Sequence, residues 1–129
     1  MIDSTAILLV EDSADDALLI LRALDKAGVK KPIRVVRDGD AAVNYLSGTG
    51  IYADRGTYPL VGLVLLDLYL PKRDGFEVLM WIRDRPEFSE LNVVVLTTSR
   101  DMKDVRRAYA VGASSFLVKP MEFANYLGL

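Results

Sequence analysis

Glu11, Asp12, Asp67, Thr97 and Lys119 are the residues with which this chain could do chemistry. Each ends or directly follows a short apolar run: "AILLV" before Glu11 and Asp12, "LVLL" before Asp67, "VVVL" before Thr97, and "SSFLV" before Lys119. Charged side chains are almost never buried without partners, so a carboxylate that ends an inner strand needs a cation beside it. Three carboxylates gathered in one place raise each other's pKa unless a cation sits among them. Oxygen ligands with open water positions suit Mg2+, with Mn2+ as the alternative. Lys119 supplies a mobile point charge suited to a phosphoryl oxygen, and the Thr97 hydroxyl can donate to the same group. A carboxylate nucleophile, a divalent metal and a cation held together describe phosphoryl transfer to an aspartate.

Composition narrows the alternatives. The chain has 129 residues and neither cysteine nor histidine. That excludes disulfides, thiol nucleophiles, Cys-based zinc sites and Ser-His-Asp catalysis. A net charge of -2 argues against a sequence-independent grip on nucleic acid, which needs a basic face. No apolar run approaches a membrane span, and "MIDSTAILLVED" lacks the basic flank and cleavage site of a secretory signal, so a cytoplasmic protein is expected.

Converging those side chains requires particular elements. "AILLV" (6–10) reads as strand β1, and 13–28 as helix α1, with apolar Ala17, Leu18, Leu21 and Leu24 on one face, Ser13 as N-cap and Gly28 as stop. Strand β2 (33–37) and a short helix α2 (38–46) follow. Residues 47–62, rich in Gly, Thr and Tyr, read as an extended loop before β3 (63–67). Helix α3 (74–84), β4 (92–97), α4 (101–112), β5 (114–119) and a short α5 from 121 complete the pattern. Alternating strands and helices predict an α/β domain: a flavodoxin-like, doubly wound five-stranded parallel sheet with helices on both faces. In strand order 2-1-3-4-5 the polar ends of β1, β3, β4 and β5 share the rim where ligands bind in such sheets.

With those elements in place, "LLVEDS", "LVLLDLYLPKRDG", "VVVLTTS" and "SSFLVKP" resemble the receiver domain of two-component response regulators over nearly the whole chain. The resemblance implies that Asp67 accepts a phosphoryl group from the phosphohistidine of a sensor kinase. It implies that Glu11, Asp12, Asp67 and the backbone carbonyl of Tyr69 hold the metal, and that Lys119 contacts the phosphoryl group. It makes Thr97 and Phe116 the switch pair, and the Lys119–Pro120 bond a cis-peptide candidate. Glu11 stands where many members have Asp. The long loop, with "RDGDAAVNYL", is similar to the single-domain regulators paired with bacterial phytochromes. A phytochrome-type histidine kinase, a downstream phosphotransfer or effector protein, and a homodimer through α4, β5 and α5 are the partners this implies. One receiver domain is expected over 1–129; the short fifth helix reads either as a trimmed end or as a missing output domain. Such a protein catalyses only its own phosphorylation and dephosphorylation and has no diffusible substrate.

Several residues also have plainer readings. Asp12 can cap α1, and Asp15 and Asp16 can oppose the helix dipole. Asp74 with Gly75 reads as a turn and cap before α3. Tyr52 and Tyr58 either contact a partner or fold the loop onto the domain, and Arg106 with Arg107 reads as a solvated face. A haloacid-dehalogenase-type phosphatase would need an acid where Tyr69 stands, and a mononucleotide binder would need a phosphate loop where "VEDSADD" is acidic. A receiver-like module that works without phosphorylation is the alternative function.

Overall fold

The computed structural model describes residues 6–98, 101–119 and 127–128. The expected fifth helix and Pro120 lie outside the described residues. Five strands, β1 Ala6–Val10, β2 Ile33–Val36, β3 Val61–Leu66, β4 Asn92–Thr97 and β5 Ser115–Val118, form one parallel sheet in the order β2-β1-β3-β4-β5. Four helices join them: α1 Ala14–Lys26, α2 Gly39–Ser47, α3 Gly75–Arg83 and α4 Met102–Val111.

The inner strands are apolar on both faces because both faces are covered. Leu8, Val10, Val64, Leu66, Val93 and Val95 pack with Tyr45, Phe76, Leu79 and Ile82 on the side of α2, α3 and α4. Ile7, Leu9, Leu65, Val94 and Leu96 pack with Ala17, Ile20 and Leu24 on the α1 side. Period two, continued one residue past the strand ends, assigns Glu11 and Asp67 to the parity of the α1 side.

Ser13 and Asp74 cap their helices as the sequence indicates, Asp12 does not cap α1, and Asp38 and Asp101 are further caps. Each of these N-cap side chains accepts a backbone N–H from the first turn. Such a cap contributes about 1 kcal/mol and fixes where the chain leaves the sheet rim.

β3 starts at Val61, two residues earlier than the sequence pattern indicates. Ala6 pairs with Val61 and Ile7 with Leu63, so Gly62 is skipped in a local irregularity of the ladder. The preceding segment is not extended. It contains a 3-10 turn, Gly50–Ala53, and folds back on α2. Arg55 donates to the carbonyls of Tyr45 (2.9 Å) and Leu46 (3.1 Å) in the last turn of α2 and to that of Tyr58 (3.3 Å) in the loop, tying the two together. The rings of Tyr45, Tyr52 and Tyr58 pack with centroids 5.0–6.0 Å apart, and the buried Tyr45 hydroxyl donates to the Pro59 carbonyl at 2.8 Å. Tyr52 and Tyr58 thus fold the loop onto the domain.

Candidate functional site

The rim above the C-terminal ends of β1, β3 and β5 gathers the charged residues. Lys119, one residue past β5, has a nearly buried side chain, 6% exposed. Its Nζ donates to Glu11 Oε1 at 2.5 Å, Asp16 Oδ2 at 2.9 Å and Asp67 Oδ2 at 3.5 Å. The strand ends themselves are zipped: the Glu11 N–H donates to the Val36 carbonyl, Asp67 to Val10 and Lys119 to Thr97. These backbone bonds place all three side chains on one level.

Carboxylate oxygens of Glu11, Asp12 and Asp67 lie within 4.8 Å of one another. Glu11 is 1% exposed and Asp67 8%, while Asp12 is exposed at the mouth. Burial pushes the Glu11 pKa up. The hydrogen bond from Lys119 pulls it back, the Asp67 charge raises it again, and the Ser13 N–H on Oε2 (3.1 Å) lowers it. For Lys119, burial disfavours the ammonium, but hydrogen bonds to Asp16 and Glu11 and the charge of Asp67 outweigh it, so the pKa is raised. Three carboxylates thus share one ammonium, and Asp12 adds a fourth beside Glu11 and Asp67. This surplus of negative oxygen, open to water on the Asp12 side, fits a hard divalent cation.

The loop after Asp67 is rigidly seated. The Tyr69 N–H donates to Asp67 Oδ1 at 3.2 Å, and the Gly75 N–H to the Leu68 carbonyl at 2.7 Å. A Cβ on Gly75 would lie 2.4 Å from the Asp67 carbonyl oxygen and 2.5 Å from the Leu68 Cα, so only glycine allows α3 to start this close to the end of β3. A Cβ on Gly39 would lie 1.8 Å from the Arg73 carbonyl oxygen, which puts the start of α2 against the same turn. The Gly39 N–H donates to the Pro71 carbonyl, and Lys72–Asp38 and Arg73–Asp40 ion pairs lie alongside.

The remaining predicted residues are placed as follows. Thr97 ends β4 fully buried and continues the parity of Val93 and Val95. Phe116 is half-buried against the α2–α3–α4 core, and its N–H donates to the Tyr109 hydroxyl of α4 at 3.1 Å. Pro120 lies outside the described residues. Two features are not visible in sequence. Asp16, readable only as a helix-dipole acid, is a direct partner of Lys119. The Tyr69 hydroxyl crosses from the loop after β3 to Asp104 Oδ2 on α4.

The sequence model of the response regulator receiver domain matches residues 7–127. The chain is 45% identical over 123 residues to the probable methanogenesis regulatory protein FilR2 of Methanothrix harundinacea (strain 6Ac), covering 95% of this chain and 77% of that protein. It is 41% identical over 113 residues to the response regulator Rcp1 of Synechocystis sp. (strain ATCC 27184 / PCC 6803 / Kazusa), covering 88% and 75%. Among solved structures, the phosphorylated cyanobacterial phytochrome response regulator RcpA superposes with a TM-score of 0.84 at 36% identity, covering 96% of this chain and 86% of that one. The Mn2+-bound form of Rcp1 gives 0.82 at 37%, covering 96% and 87%. The chain belongs to the response regulator receiver domain family of two-component signalling, and it resembles the phytochrome-associated members.

Proposed function

We propose that this receiver domain accepts a phosphoryl group on Asp67 from a histidine kinase, in a reaction dependent on Mg2+, and thereby changes its protein contacts. The observation that carries the reading is Asp67 held between the Lys119 ammonium and the Glu11 and Asp12 carboxylates. A carboxylate oxygen of Asp67 attacks the phosphorus of the donor phosphohistidine. The O–P bond forms as the P–N bond breaks, and the electron pair leaves with the imidazole nitrogen. Glu11, Asp12 and Asp67, with the Tyr69 carbonyl, are the residues that would hold the cation, whose chemistry is neutralisation of phosphoryl charge. Lys119 shifts from its carboxylates to a phosphoryl oxygen.

The Thr97 hydroxyl then turns toward the phosphoryl group and Phe116 follows it. Support for a relay to α4 comes from two hydrogen bonds that reach it, Tyr69 to Asp104 and Phe116 to Tyr109. Met102 and Tyr109 of α4 are half-exposed or more, which supports docking or homodimerisation through α4, β5 and the segment after β5. The resemblance to RcpA supports a phytochrome-type kinase as donor.

Incubation with acetyl phosphate, read by intact mass, tests the reading. The wild type should gain one phosphoryl group with Mg2+, and none with EDTA or in Asp67→Asn. A wild type that stays unmodified at high donor with Mg2+ present supports instead a receiver-like module that works without phosphorylation.

A further inference from the structure

We infer that Asp16 is a positioning residue of the acceptor site: its carboxylate holds the resting Lys119 ammonium back from Asp67, leaving the Asp67 oxygens accessible to a divalent cation. The inference builds on Asp67 as acceptor. The Lys119 Nζ lies 2.9 Å from Asp16 and 3.5 Å from Asp67, so the ammonium is seated toward α1. An ammonium has three N–H donors, and Glu11, Asp16 and Asp67 supply one acceptor each. With the lysine side chain only 6% exposed, water is a poor substitute for any of them. Loss of the Asp16 carboxylate therefore draws the ammonium closer to Asp67, whose oxygens a metal must share.

Asp16 is also the partner that releases the lysine most easily. Its side chain is 37% exposed and is rehydrated when Lys119 leaves, whereas Glu11, at 1%, is not. Capping does not explain the carboxylate. The α1 N-cap uses the Ser13 hydroxyl and the backbone N–H of Asp16, and a substitution keeps both. A role confined to the helix dipole would act without Lys119, and that separates the two readings.

The test uses the full chain and Mn2+ alone as the metal probe. Titration calorimetry with MnCl2 measures affinity, and intact mass with acetyl phosphate at saturating Mn2+ measures the phosphorylation rate. Asp16→Asn should weaken Mn2+ binding roughly tenfold, the usual scale for a residue that orients a ligand, and slow phosphorylation severalfold. Asp16→Glu should recover part of both. In a Lys119→Met background, Asp16→Asn should slow phosphorylation no further. Wild-type affinity and rate in a folded Asp16→Asn overturn the inference, as does an equal slowing in the Lys119→Met background. If Asp16→Asn fails to melt cooperatively, Asp16→Ala is read in its place. A wild type that binds Mn2+ but is never phosphorylated overturns the acceptor reading instead, and the Mn2+ titrations still judge Asp16.

Discussion

Replacing Lys119 by Met should destabilise the metal-free protein in a pH-dependent way. The substitution keeps most of the aliphatic stem and removes the charge that three carboxylates share. Asp16 and Asp67 have side chains 37% and 11% exposed and recover water, but Glu11, at 1%, does not. One stranded buried charge lies at the low end of the range for breaking a buried pair, about 3 kcal/mol. Glu11 can escape by taking a proton. Burial already raises its folded pKa above the unfolded value, and loss of the lysine hydrogen bond raises it further. A carboxylate whose folded pKa lies above its unfolded pKa destabilises the fold where it is ionised, and that penalty fades as pH falls through the folded pKa. The difference between wild type and Lys119→Met should therefore shrink as pH falls through the folded pKa, by up to about 1.4 kcal/mol per pH unit. Urea unfolding in EDTA at several pH values between 5.5 and 7.5 measures it. A difference independent of pH, or none at all, refutes the description of Glu11 as a buried acid dependent on Lys119.

Other perturbations separate scaffold from site. Gly75→Ala forces a Cβ into the Asp67–Leu68 backbone and should cost about 2–3 kcal/mol in urea unfolding, with weakened Mn2+ binding. Tyr69→Phe removes the hydroxyl of a largely exposed residue, so stability should change by under about 0.5 kcal/mol. Amide exchange at the start of α4 should still accelerate, because the bond to Asp104 is gone. Arg55→Ala unties the turn at Gly50–Ala53 from α2 and should speed proteolysis between residues 48 and 60. Phosphorylation by acetyl phosphate should be unaffected, since the loop holds none of the site residues.

The strands and their order were legible because buried parallel strands leave unbroken apolar runs, and the acids at their ends stood out against them. Gly62 misled the reading of β3, since a glycine beside a polar loop resembles a turn when it is in fact a skipped position in a strand. The loop at 47–62 has little periodicity because Arg55 and three tyrosine rings hold it, and such contacts leave no spacing rule behind. Asp16 was indistinguishable from Asp15 by type and position. Only the burial of Lys119, a property of the assembled rim, makes one of them a partner. The sequence resemblance bears only on the backbone carbonyl of Tyr69, and the reach of its side chain to α4 depends on the three-dimensional placement of Asp104.

The most direct measurement is to phosphorylate the protein with acetyl phosphate and Mg2+, reduce with borohydride, and sequence the peptides by tandem mass spectrometry. Borohydride converts an aspartyl phosphate to homoserine at the residue that carried it. Homoserine at position 67 alone, absent when EDTA replaces Mg2+, is the predicted result. Homoserine at Asp12 or any other acid, or none at any position in a fully folded protein, contradicts the assignment of Asp67 as the acceptor.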